Sequence, residues 1–122
     1  MYIFHDQHEF MAAAGNAFPG CSTDAMEHLA INLMHEEFYE FKQELGSDGV
    51  NDIKEALDLI YVTAQYLNTR IGPDMAQRCW DALQENNMSK CIDGKLVKRE
   101  DGKVLKPEGY KKLDLMDVLF PG

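Results

Sequence analysis

Apolar residues recur at three- and four-residue intervals through most of the chain and give way to alternation near its end. Phe4 to Ala14 reads as a short helix closed by Gly15, and Asn16 to Cys21, which holds Pro19-Gly20, reads as a loop. Thr23-Asp24 offers capping side chains, with Glu27 three residues beyond Asp24, to a second helix that the spacing carries to about Leu45, before Gly46. A third helix is predicted from about Asn51 to Ile71, ended by Gly72-Pro73, with Pro73 placed in the first turn of a fourth that runs to about Lys90. After Asp93-Gly94 the period falls to two. Lys95 to Arg99, the turn residues Glu100-Asp101-Gly102, and Lys103 to Lys106 predict a small hairpin or an extended arm, and Pro107, Gly109 and Pro121 keep the remainder irregular. The fold class expected is all-α, with a bundle of four helices as one domain over residues 1–122.

The same periodicity assigns faces. At about 100° per residue, Met26, Ala30, Leu33, Met34 and Phe41 gather into one stripe of the second helix, and Glu37, Glu40 and Glu44 fall inside it. Glu36 lies at the margin; His28, His35 and Tyr39 lie opposite. In the third helix Ile53, Ala56, Leu57, Ile60, Ala64, Leu67 and Ile71 form a conventional core face, while Leu59, Val62 and Tyr66 form a second strip that Glu55 and Asp58 continue. A helix apolar on two faces belongs at the centre of a bundle. Met75, Ala76, Cys79, Trp80 and Leu83 give the fourth helix its apolar face, continued by Asn86, Asn87 and Lys90.

Charge changes the picture. The 122 residues carry a formal charge of -9, with 12 Lys+Arg against 21 Asp+Glu. It is unevenly spread: residues 1–89 hold four basic and fifteen acidic residues, a net of -11, whereas residues 90–122 hold eight and six, a net of +2. So acidic a body repels a phosphate backbone, and binding to a nucleic-acid polymer is not expected. No apolar run approaches the ~20 residues of a membrane span, and the start of the chain lacks the pattern of a secretory signal, so a cytoplasmic location without a membrane partner is expected. Cys21, Cys79 and Cys91 make no CxxC pair and are expected as reduced packing residues.

Carboxylates on an apolar face are the informative feature, because an ionised group taken from water without a partner costs several kcal/mol. Lys42 and Lys54 are expected away from the acidic stripes, and Arg70 far along its helix. A hard divalent cation compensates such acids economically, since Mg²⁺ and Mn²⁺ take oxygen ligands and i,i+3 pairs on two neighbouring helices converge. A local explanation competes: Asp52 to Glu55 fits a capping box, and long glutamates can reach water from the rim of a stripe. At the end of the fourth helix Lys90 is either ordinary C-terminal charge or, with Asn86, Asn87 and the basic arm, a place for nucleotide phosphates.

These residues resemble a family. Glu36-Glu37-Phe38-Tyr39-Glu40 followed by Glu55-Ala56-Leu57-Asp58 is similar to the EExxE and ExxD metal motifs of the all-α nucleoside triphosphate pyrophosphohydrolases, the MazG-like group that includes phosphoribosyl-ATP pyrophosphohydrolase. The likeness extends to the opening Phe4-His5-Asp6-Gln7 and Phe10 to Gly15, and to Asp58 to Val62, Asn87-Met88-Ser89-Lys90 and Asp101 to Tyr110. EExxE alone is common in helices; with ExxD, NxxK and GKVxKP in this order it is specific. The resemblance implies hydrolysis of a nucleoside triphosphate between its α- and β-phosphates, giving a monophosphate and pyrophosphate. It implies Glu37, Glu40, Glu55 and Asp58 as ligands to Mg²⁺ or Mn²⁺, two or more ions per site. Glu36 would bind a further ion or orient the attacking water. Asn87 and Lys90 would contact the nucleotide, and Lys103, Lys106 and Tyr110 would close over phosphates. A homo-oligomer, dimer or tetramer, is implied too. Ala30 departs from relatives that carry a basic or polar residue near that point.

Two other readings compete. A ferritin-like carboxylate bundle needs an inward Glu-x-x-His pattern, which is absent because Glu55 is followed at the third position by Asp58. A non-enzymatic helical adaptor would use the stripes for partner helices and leave the acids unexplained. The phage-like look of the resemblance implies adjustment of a deoxynucleotide pool, with dGTP among the candidates.

Overall fold

The computed structural model describes residues 2–15 and 23–122. Among them the chain is mostly helical, with α1 (Ile3–Ala13), α2 (Asp24–Glu44), α3 (Asn51–Ile71), α4 (Pro73–Met88) and α5 (Leu115–Leu119). The loop expected over Asn16–Cys21 lies outside the described residues. The chain forms two compact units, Met1–Ala76 and Gln77–Gly122.

In the first unit α2 and α3 make a helical hairpin, and α1 packs on α3. Thr23 caps α2 as its sequence suggests, its hydroxyl accepting from the Met26 amide at 3.2 Å. Leu45 leaves the helix in an extended conformation and Gly46, at φ 79°, turns the chain toward α3. Gly72 ends α3 at φ 80°, and its carbonyl already accepts from the Ala76 amide at 2.9 Å. One residue therefore serves as the last cap of α3 and the first of α4, with Pro73, which has no amide hydrogen to lose, in the opening turn.

The tightest packing lies where α1, the C-terminal half of α3 and the first turn of α4 meet. Phe4, Ala64 and Ala76 are buried together, with Leu67 and Ile71 against them. Beside this cluster Gln7 and Asn68 are each 0% exposed. The Asn68 amide donates to the Phe4 carbonyl at 2.8 Å and to Gln7 Oε1 at 2.7 Å, so a polar bridge ties α1 to α3.

The expected core face of α3 is only half covered. Ala64, Leu67 and Ile71 are sheltered, but Ile53, Leu57 and Ile60 remain 59%, 59% and 49% exposed. The 11 residues of α1 are too short to span both halves of a helix of 21. α3 also packs on α2, and in its other strip Leu59, Val62 and Tyr66 are half-buried.

In the second unit Trp80 and Leu83, expected on the buried face of α4, are exposed. The basic arm reverses across Glu100–Gly102 and is held by two isolated antiparallel bridges, Ile92 to Lys95 and Lys98 to Val104, without forming strands. Asp101 fixes the reversal, accepting from the Arg99 guanidinium and from the Lys103 amide. The tail is not wholly irregular: Asp114 accepts from the Met116 amide at 2.9 Å and starts the five-residue α5. Cys79 and Cys91 are free and half-buried, and burial pushes the Cys79 thiol up, in keeping with packing residues.

Candidate metal centre

The sheltered face of α2 runs through Met26, Ala30, Leu33, Met34, Glu37, Glu40, Phe41 and Glu44, as its periodicity predicts. Glu36, His28, His35 and Tyr39 are exposed. Across from it, the second strip of α3 presents Glu55 and Asp58, both half-buried. Three and four residues make about one helical turn, so each pair stacks on its own helix and the two pairs meet where the hairpin is packed.

Glu37, Glu55 and Asp58 each place a carboxylate oxygen within 4.8 Å of the other two. Glu40 lies against the triad: hydrogen bonding with its carboxyl is among the causes that raise both Glu37 and Glu55. Burial, reinforced by the charges of Glu40, Asp58 and Glu55, raises Glu37 from 4.5 to about 7. Glu55 is also pushed up, mainly by burial, and Lys54 opposes the shift. Glu37 Oε2 and Glu55 Oε2 are buried and accept from no donor among the described residues. Buried lone pairs of this kind are costly, and oxygens converging in a cluster of like charge fit a hard cation with six or more oxygen ligands.

The local explanation for Glu55 does not hold. Val50 occupies the cap position of α3 and no side chain caps the helix, so Asp52 and Glu55 form no capping box. The expectation that Lys54 stands clear of the acids is also corrected. Its ammonium donates to Asp58 Oδ2 at 2.5 Å and lies 3.9 Å from Glu55 Oε1, because a lysine stem is long enough to reach one turn along the helix. Lys42 does point elsewhere, over the Phe38 ring at 5.0 Å.

In the second unit, Lys90 and Lys106 both approach the Tyr110 ring, at 5.7 and 5.6 Å from its centroid. Lys90 also donates to Asn87 Oδ1 at 3.4 Å. The residue that fixes this corner is Asn86: it accepts from the Tyr110 hydroxyl at 2.7 Å and donates to the Lys111 carbonyl at 2.8 Å. A groove of about 470 Å³ runs between this end of α4 and the arm, lined by Ala82, Glu85, Asn86, Ser89, Pro107 and Tyr110 among others. Lys103 is exposed on the far limb of the reversal and joins neither contact with the ring. The Asn86–Tyr110 link was open to sequence reasoning only as two amides followed by a lysine; nothing in the spacing says which amide meets the tyrosine.

Neither a protein-family model nor a curated protein matches the chain. Among the described residues, no helix is long and apolar enough to cross a membrane.

Proposed function

We propose that the chain is a metal-dependent nucleoside triphosphate pyrophosphohydrolase of the all-α, MazG-like kind, cleaving between the α- and β-phosphates. The observation that carries the reading is the pair of buried oxygens with no donor among the described residues, Glu37 Oε2 and Glu55 Oε2, in a triad whose oxygens converge within 4.8 Å. Order of motifs supports it, since the converging acids are those of EExxE and ExxD. Glu37, Glu40, Glu55 and Asp58 hold Mg²⁺ or Mn²⁺, two or more ions per site. When bound, a divalent cation supplies charge neutralisation and polarises a phosphoryl oxygen. Glu36, beside Glu37 yet exposed, is free to orient water and take its proton. Lys90, Lys106 and Tyr110 form a cationic corner for phosphates, with Lys103 at its margin and Asn87 available to a sugar or base edge.

The chain works as a homo-oligomer, dimer or tetramer, and adjusts a deoxynucleotide pool in the cytoplasm, dGTP being one candidate. The open stripe of Ile53, Leu57 and Ile60 supports association, because contiguous apolar surface on a helix is normally covered. The same stripe favours a second reading, a non-enzymatic helical adaptor. Pyrophosphate release measured across the eight common nucleotides with Mg²⁺ and with Mn²⁺ separates the two. Metal-dependent release supports the hydrolase; its absence with every nucleotide, together with no metal-induced thermal shift, supports the adaptor.

A further inference from the structure

Lys54 stands where a cation is wanted. Of the four basic residues in the first 89 positions, Lys42 lies over Phe38, Arg70 donates to the Tyr66 hydroxyl at 3.4 Å, Arg78 is exposed on α4, and Lys54 alone among the described contacts is seated on the acids. Its side chain is 69% exposed, so it leans over the mouth of the cluster from solvent. We propose that Lys54 is a built-in counter-ion that occupies the acidic cluster in the metal-free protein and must swing out for a divalent cation to bind, thereby setting the affinity of the site.

The inference rests on the metal-centre reading and deepens it. A cation bound to Asp58 would sit about 2.1 Å from its oxygen, and an ammonium retained at 2.5 Å from that same oxygen could lie no farther than about 4.6 Å from the ion. Two positive charges that close repel, and Lys54 has open water to retreat into at small cost. Its stem carries it out without moving the backbone of α3. The device has a double effect: it relieves repulsion among Glu37, Glu55 and Asp58 while they wait for metal, and it rejects cations that bind the triad too weakly to displace an ammonium.

The test is Mn²⁺ binding to the chelator-stripped full chain, followed by the electron paramagnetic resonance of free Mn²⁺ and by calorimetry. Lys54→Met keeps the length of the side chain without its charge; it should bind Mn²⁺ at least tenfold more tightly than wild type and melt at a lower temperature without metal. Lys54→Arg should restore wild-type affinity to within about threefold. In the wild type, side-chain NMR of the lysines should show Lys54 released as Mg²⁺ is added, a readout that stands even if Lys54→Met folds poorly. Wild-type Mn²⁺ uptake that Lys54→Met leaves unchanged or weakens, or a Lys54 signal indifferent to Mg²⁺, overturns the inference alone. No Mn²⁺ uptake by either protein overturns the metal centre, and the inference with it.

Discussion

Asn68 reaches from α3 to donate to Gln7 Oε1 at 2.7 Å, and both side chains are wholly excluded from solvent. The same amide also donates to the Phe4 carbonyl, which keeps its helical partner, so Asn68→Ala would leave the buried Gln7 Oε1 without its donor and open a gap between α1 and α3. A loss of about 2–4 kcal/mol in urea unfolding is expected, against under about 1 kcal/mol for an exposed control such as Asn87→Ala. Equal losses would show that the bridge contributes no more than surface polarity.

Glu37 makes metal-free stability depend on pH in a definite direction. Its folded value, about 7, lies above its ordinary 4.5, so between those limits the folded chain holds a proton the unfolded chain has released. The penalty is absent below about pH 4.5 and complete above about 7. Glu55, raised in the same sense, adds to it. In EDTA the melting temperature should therefore rise as pH falls from about 8 to 5.5, and Glu37→Gln should flatten the slope. A melting temperature that climbs with pH over this window would contradict the assignment.

Metal should reverse that preference, because protons and divalent cations compete for the same oxygens. Mg²⁺ or Mn²⁺ is expected to raise the melting temperature most near pH 8 and least near pH 5.5. Glu37→Gln, already relieved of repulsion, should be more stable than wild type without metal and gain little from its addition.

Glu40→Gln and Asp58→Asn should each reduce pyrophosphate release by 10³-fold or more, on the order expected when a ligand to a catalytic cation is removed. Helical circular dichroism should be unchanged in both. Collapse of the helical signal would assign these acids to the fold rather than to chemistry.

Tyr110→Phe removes only the hydroxyl that Asn86 accepts and should cost about 1 kcal/mol of stability. Tyr110→Ala also removes the ring that gathers Lys90 and Lys106. It should raise KM for a nucleoside triphosphate by about tenfold and change kcat less. The comparison separates a tether from a phosphate corner.

Much of the helical layout was legible because each boundary carries its own chemistry. Thr23 and Asp24 announce α2, and Gly72-Pro73 announces the corner after α3, whose bounds match the periodicity at both ends. The sheltered side of α2 was equally legible, since the stripe through Met26, Ala30, Leu33, Met34 and Phe41 is its most continuous apolar line, although Leu29, Ile31 and Phe38 stay exposed outside it. For α3 the pattern offered two stripes, and sequence could not say that α1 would stop short and leave Ile53, Leu57 and Ile60 bare. Lys54 escapes the periodicity for a different reason: helical angle locates a Cβ, whereas the ammonium that reaches Asp58 lies several bonds away. The five residues of α5 are too few for a period of 3.6 to show.

The corner at Gly72 makes the helical register indivisible. With a single residue between the two axes, adding one amino acid there would turn α4 by about 100° about its own axis and carry Ala76 away from Phe4 and Ala64. Replacing Gly72 by a residue with a side chain would meet the steric penalty of a positive φ instead. Length changes that surface loops absorb freely are thus barred at this joint.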